Sequence, residues 1–308
     1  MHFSLRQLEV FVVIAQQGTV SAAAERLAMS QSAASTALGE LERQFEVQLF
    51  DRHGRSLRLN ATGQALLPRA VALLDQAAEL EDMLARRTVF GELRIGATLT
   101  VGNYLATLVV ADFLQRHPDA RIQLTVHNTA AIVDALGRFE LDLGLVEGEC
   151  QRPELVVEPW VADELVVFAP PGHPLAQAGR ASWRQLLAER WILREPGSGT
   201  RATFQEAIAR LPGPIQVRLE LEHTEAIKRS VESGLGIGCI SRLALREAFR
   251  RGSLAPVECL ELNLSRHFNF VWHRQKYQTA GFRAFVERCR AYTVGVDRSD
   301  HIDLPFIP

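Results

Sequence analysis

Between Ala61 and about Val89 the chain is glycine-poor after Gly63 and places Leu66, Ala70, Leu73, Ala77, Leu80 and Leu84 at alternating steps of four and three. That spacing predicts a helix with a coiled-coil seam, capped by Asn60 or Thr62 and kinked or reset at Pro68. A helix this long between two domains has little local core to cover, so the seam is expected to pair with a second copy. It also divides the chain. With 308 residues, one ordinary core is not enough, and the segments before and after the helix must each bury an apolar set of their own.

The segment before it reads as three helices and a hairpin. Leu8, Phe11, Val12 and Ala15 recur at helical spacing within Leu5 to Gln17, and Gly18 stops the run. A second helix, Ser21 to Ala28, is capped by Thr19 or Ser21, and its small residues Ala22, Ala23 and Ala24 permit close helix contact. Ser30 caps a third, Gln31 to Phe45, with Ala34, Leu38, Leu41 and Phe45 on one face and Gln31, Ser32, Ser35 and Thr36 on the other. Short hydroxyl and amide side chains on a helix start can approach phosphates and base edges closely, which is how a helix-turn-helix reads DNA. Two short strands, Val47 to Phe50 and Ser56 to Leu59, follow around His53-Gly54 and predict a wing.

Charge supports that reading only locally. The chain carries a net charge of -2, and residues 1–60 balance six arginines against six carboxylates. Arg52, Arg55 and Arg58 nevertheless cluster with only Asp51 opposing them, a cationic strip that can reach the phosphate backbone or a minor groove. The four cysteines, Cys150, Cys239, Cys259 and Cys289, are scattered and form no C-x-x-C pair. The apolar run Val10 to Ala15 is too short for a span and lacks a basic leader. A reducing cytoplasm, with no membrane partner, is expected.

After Gly91 the pattern changes. Leu93 to Ala97, Ile122 to His127, Leu141 to Val146 and Leu165 to Ala169 read as buried parallel strands, with helices at Gly102 to Arg116 and Ala130 to Phe139. Further strands, Trp191 to Arg194, Val217 to Glu222 and Ile237 to Ser241, alternate with helices Arg201 to Arg210 and Glu225 to Ser233 as a second α/β lobe. Strand Phe268 to Trp272 and helix Thr279 to Ala291 return to the first. Ligands of such sheets bind beyond the strand carboxyl ends, where helix starts present free amides. Thr98, Thr100 and Asn103 follow the first strand, and Glu195 to Arg201 forms a second such turn, with Ser198, Gly199, Thr200 and Arg201 suited to an oxyanion.

Gly197 to Ala202 also matches the loose G-x-G-x-x-A fingerprint, with Glu220 or Glu222 near the distance for a ribose. An NAD(P)-dependent enzyme is therefore the alternative reading. Against it, the turn lies mid-chain in a small lobe, and no G-x-S-x-G, H-E-x-x-H or metal spacing accompanies it. No cofactor and no metal are expected.

The run LRQLEVFVVIAQQGTVSAAAERLAMSQSAASTALGELERQFEVQLFDRHGRSLRLNATGQALL resembles the N-terminal signature of LysR-type transcriptional regulators. Ser32 stands where that family often has proline, and Thr36 where many members carry arginine. The resemblance implies that Gln31, Ser32, Ser35 and Thr36 face the major groove while Arg52 and Arg55 support the wing on phosphates. It implies a multidomain chain: a winged helix-turn-helix over residues 1–60, a linker and dimerisation helix over 61–89, and a periplasmic-binding-protein-like effector domain over 90–295. Lobe I would comprise 90–162 and 268–295, lobe II 163–267, and 296–308 would form a tail with no assigned role. It implies dimers, usually within a homotetramer, on double-stranded DNA with a near-palindromic operator, and contact with RNA polymerase. Thr224 lies at a turn that often faces the cleft in such folds. Within the family the Glu195 to Arg201 loop resembles those of regulators of sulfur assimilation and carbon fixation, which implies a small anionic effector.

Overall fold

The computed structural model describes residues 2–54, 56–85, 90–148 and 150–303, the side chain of His53 excepted. The first unit packs α1 (Leu5–Gln17), α2 (Val20–Arg26) and α3 (Gln31–Gln44) around Phe11, Ile14, Ala23, Ala34 and Leu41. Ser4 and Gln7 close a capping box at the start of α1, and Gly18 ends it at φ 71, a left-handed conformation that costs glycine little. Thr19 caps α2 and Ser30 caps α3. The wing is β1 (Phe50–His53) antiparallel to β2 (Ser56–Leu59), and the Leu57 N–H donates to the Gly18 carbonyl at 2.7 Å, tying the wing to the end of α1.

Helix α4 (Ala61–Leu84), capped by Asn60, runs through Pro68. Its first half covers local core after all: Leu67, Ala70 and Val71 are buried in the cluster around Phe11. Only farther along do Leu73, Leu80 and Leu84 of the expected seam stand exposed. Residues 86–89, the end of the expected linker helix, lie outside the described residues.

The second unit is a mixed sheet. In chain order it comprises β3 (Glu92–Thr98), α5 (Leu99–Val101), a π-helical turn (Gly102–Ala106), α6 (Thr107–Arg116), β4 (Arg121–His127), α7 (Thr129–Gly137) and β5 (Leu143–Glu147). There follow β6 (Leu155–Ala169), α8 (Pro174–Ala178), α9 (Trp183–Leu187), β7 (Arg190–Arg194), α10 (Gly199–Ile208), β8 (Gln216–Leu221), α11 (Thr224–Glu232), β9 (Ile237–Ser241), α12 (Arg242–Arg251), β10 (Ala255–Val257), β11 (Ser265–His273) and α13 (Ala280–Ala291). The strand order is β4-β3-β5-β11-β6-β9-β7-β8, with β10 beside β6. The sheet is not wholly parallel: β11 runs antiparallel to both β5 and β6, and β9 antiparallel to β6.

Two strands join the lobes. The first half of β6 pairs with β11 in lobe I and its second half with β9 in lobe II. The expected boundaries near 162 and 268 thus fall inside continuous strands. The tail has a place too. Ile302 is buried in the lobe I core, Ser299 Oγ donates to Asp163 Oδ1 on β6, and Arg246 of α12 donates to the carbonyls of Asp300 and Ile302.

Candidate functional site

On the first unit, Gln31, Ser32, Ser35 and Thr36 are all exposed on α3. Gln31, Ser35 and Arg52 line one groove of about 970 Å³ between α3 and the wing. Ser32 sits lower on this face, its hydroxyl 3.0 Å from that of the cap Ser30. Glu42 holds the two sides of the groove together by accepting from the Leu49 N–H at 2.8 Å. Arg55 lies outside the described residues. The groove also contains Gly39, which no motif singles out. It is exposed, and nothing lies within 4 Å of where its Cβ would stand. A helix-interior glycine costs about 1 kcal/mol relative to alanine, and no neighbour in the chain requires it.

In the second unit the turns named from sequence meet where the lobes touch. The Thr98 side chain lies between strands β3 and β5, donating to Leu145 O at 3.4 Å and accepting from Glu147 N at 3.3 Å. Thr100 is buried beside it, whereas Asn103 is exposed on the π-helical turn. The Gly197 to Gly199 turn of lobe II presses directly on lobe I. Gly199 N–H donates to Thr129 Oγ1 at 2.9 Å and Ala130 N–H to the Gly197 carbonyl at 3.1 Å. A Cβ on Gly199 would stand 2.1 Å from the Glu147 carbonyl oxygen, and Gly197 holds φ 87. Both glycines therefore have packing reasons. Of the main-chain N–H groups at the start of α10, that of Gly199 is engaged by Thr129.

Arg201 departs from expectation. Its guanidinium donates to the Arg194 carbonyl at 2.9 Å and pairs with Glu220 at 2.8 Å, so its charge is already matched and it braces the turn; its Nε is buried without a partner. Thr200 instead donates to Glu147 Oε1 at 2.9 Å and accepts from Arg266 at 3.0 Å. Arg266 also pairs with Asp163 at 2.7 Å and Glu147 at 3.4 Å. Asp163 additionally accepts from Ser241 Oγ at 2.7 Å. Glu147, Asp163 and Arg266 are all buried. Beyond Thr200, nothing local in the sequence signals this network, because its bonds link residues 53 to 119 positions apart.

A second bridge closes the far side. Tyr104, on the π-helical turn of lobe I, donates to Glu225 at the start of α11, and Lys228 pairs with the same carboxylate. Burial alone would raise the Glu225 pKa, but the bonds from Lys228 and Tyr104 outweigh it and hold the carboxyl below its usual range. Burial also pushes the Tyr104 phenol up. Ser198 Oγ, just before α10, and Thr224 Oγ1, at the start of α11, are both buried and both without a hydrogen-bond partner. Burial pushes the Cys239 thiol up as well, which suits an inert packing role. Among the described residues no helix is long and apolar enough to cross a membrane.

Residues 5–64 match the model of the bacterial regulatory helix-turn-helix proteins of the lysR family, and residues 86–293 match the LysR substrate binding domain. The chain is 42% identical over 289 residues to the uncharacterized HTH-type transcriptional regulator YeiE of Escherichia coli, covering 94% of this chain and 98% of that protein. It is 32% identical to a RuBisCO operon transcriptional regulator of Allochromatium vinosum, covering 93% and 95%. Among solved structures, a full-length OxyR point variant of Pseudomonas aeruginosa shares the fold over 94% of both chains at a TM-score of 0.72 and 22% identity. The regulatory domain of Synechocystis CcmR, solved in complex with 2-PG, covers 68% of this chain and 99% of its own at a TM-score of 0.63 and 28% identity. These relatives are regulators and not enzymes, which removes the dinucleotide alternative. The chain belongs to the LysR family: it is a DNA-binding transcriptional regulator with a substrate-binding-type effector domain.

Proposed function

We propose that this regulator is switched by a small anionic effector held between the lobes, where Ser198 Oγ and Thr224 Oγ1 are buried without partners. That pair of orphan hydroxyls carries the reading, since buried polar groups ordinarily find a partner and removing one from water is costly. Each stands at the start of a helix, α10 or α11, whose amides and dipole favour negative charge. Thr98, Thr100, Gly199 and Thr200 surround the junction, Asn103 is its exposed edge, and Arg201 supports the turn from behind. Arg266, Lys228 and Arg201 already hold carboxylates. Recognition therefore falls to hydroxyls and main-chain N–H groups, which suits a compact oxyanion. That CcmR was solved with the small anion 2-PG supports the same class.

On DNA, Gln31, Ser32, Ser35 and Thr36 read the major groove while Arg52 and Arg55 hold phosphates. The exposed Leu73, Leu80 and Leu84 on α4 pair two copies, and pairs assemble into tetramers on a near-palindromic operator in the cytoplasm. Effector binding changes the lobe angle, hence the spacing of the heads and the contact with RNA polymerase. A thermal-shift series with sulfite, sulfate, phosphate, 2-PG and aromatic carboxylates tests the effector, because a ligand of the native state alone raises the melting temperature. One anion class is expected to shift wild type and to lose its effect in Thr224→Val and Ser198→Ala. A shift retained in both variants would move the effector elsewhere.

A further inference from the structure

Strands β5 and β11 lie side by side, with Glu147 opposite Phe268 and Gly144 opposite Val271. Each end of this pair is tied by buried charges. At the cleft, Glu147 and Arg266 pair with each other and share Thr200 of lobe II. At the other end, Asp142 accepts from Arg94 and from Lys276, at 2.7 Å each, and Lys276 reaches on to Asp75 of the linker helix at 2.5 Å. The segment after β11 makes two more bonds to that helix: Tyr277 Oη and the Ala280 N–H both donate to Glu79.

Phe139 completes this second end. It precedes β5 by a short loop, adopts φ 56, and buries its ring in the core of the DNA-binding unit while packing at a tilt against His273, with ring centroids 4.0 Å apart. Gln16 of α1 donates to its carbonyl at 2.7 Å. A left-handed phenylalanine is strained, and such strain persists where the surroundings over-determine it. Packing alone would be served by apolar residues at Asp142 and Lys276, since buried charges are expensive to keep and costly to unpair.

Resting on the reading of the cleft as the effector site, we propose that β5 and β11 form a strut between that cleft and the DNA-binding head, with Phe139, Asp142 and Lys276 as positioning residues. From Asp142 to Glu147 the strand spans about 16 Å at the usual rise. β5 is wholly buried, so a shift of Glu147 when the lobes change angle is passed along a rod that has no room to buckle. Breaking the ties would strand buried charges, so the ends move together. The head is thereby oriented within one chain, in addition to any change of spacing between copies.

The test is a double-mutant cycle on the full-length chain, read by amide hydrogen exchange and by affinity for a duplex selected in vitro from a random pool. Thr200→Val loosens the cleft end by removing one hydroxyl from Glu147, and Glu147→Gln is the stronger form. Lys276→Met loosens the head end, and Gln16→Ala does so from the head side alone. Loosening the cleft end is expected to speed exchange in α1 and α4 about threefold or more and to change duplex affinity by a similar factor, both effects collapsing in the Lys276→Met or Gln16→Ala background. Conversely, Lys276→Met speeds exchange at the start of α10. Additive effects, or exchange that changes only within the mutated unit, would overturn the strut. The outcome needs no effector: if no anion binds the cleft yet the cycle is non-additive, the strut stands and the effector reading fails.

Discussion

On α3, Gln31, Ser35 and Thr36 stand exposed without fixed partners, and Arg52 lines one open groove with Gln31 and Ser35. At the lobe junction, Glu147, Asp163, Arg266 and Thr200 are buried and each is held by the others. The difference follows from the ligands. DNA brings its own dense charge and water, so its reader needs donors that are free to adjust. On the proposed reading a small effector is enclosed between the lobes, so its surroundings are fixed in advance; among the described residues the Ser198 and Thr224 hydroxyls and the Arg201 Nε are buried without a partner.

Substitutions that separate stability from binding test this contrast most strongly. Arg266→Met strands two buried carboxylates and is expected to destabilise the effector domain by about 3–5 kcal/mol, read as a lowered unfolding midpoint. Arg52→Ala, by contrast, is expected to leave stability within about 0.5 kcal/mol. It should weaken binding to specific and random duplexes alike and flatten the dependence of log affinity on log salt by about 0.9 for one phosphate contact. A destabilised Arg52→Ala, or an unaltered salt slope, would break the contrast from the DNA side.

A smaller effect sharpens it. Gly39 lies on the α3 line of Gln31 and Ser35, with open space for a Cβ. Gly39→Ala is expected to stabilise the fold by up to about 1 kcal/mol while weakening duplex binding, because the bare backbone leaves room for DNA. Stabilisation with affinity retained would return Gly39 to indifference.

The smallest expected change is with pH. Burial lowers the His273 pKa from its ordinary 6.5, against the pull of Glu154. The folded state therefore resists protonation where the unfolded chain accepts it, and stability is expected to be complete above pH 6.5 and to fall as pH drops from there toward the folded value. Denaturant melts at pH 7.5 and 5.5, compared between wild type and His273→Gln, isolate this share. Because the imidazole packs against the Phe139 ring, the loss is expected at the dock between lobe I and the head.

The DNA-binding unit was legible in the sequence because its determinants are local. Caps at Ser30 and Thr19, apolar steps of three and four, and a wing two turns away all lie within sixty positions. The strands with unbroken apolar runs were equally readable. The first half of β6 was not, because Glu158 and Pro159 interrupt it where it pairs with β11. Helix α12 carries four arginines in ten residues, which hid the apolar face it turns to lobe II. The cleft eluded local reading for a different reason. Arg201 lies in the turn that looks made for an anion and is taken up by Glu220, while Arg266, which does reach Thr200, arrives from a strand paired across more than a hundred positions. The tail likewise finds its place through Ser299, Asp300 and Ile302, whose partners are far off in sequence.

The coupling of cleft to DNA is tested most directly by fluorescence anisotropy of an in-vitro-selected duplex titrated with the full-length protein, with and without the anion that gives the largest thermal shift. Wild type is expected to change its affinity by about fivefold or more, and Thr224→Val, with its DNA-reading face intact, by none. Equal affinities for wild type with and without a saturating anion, or the same response from Thr224→Val, would contradict control through the lobe junction.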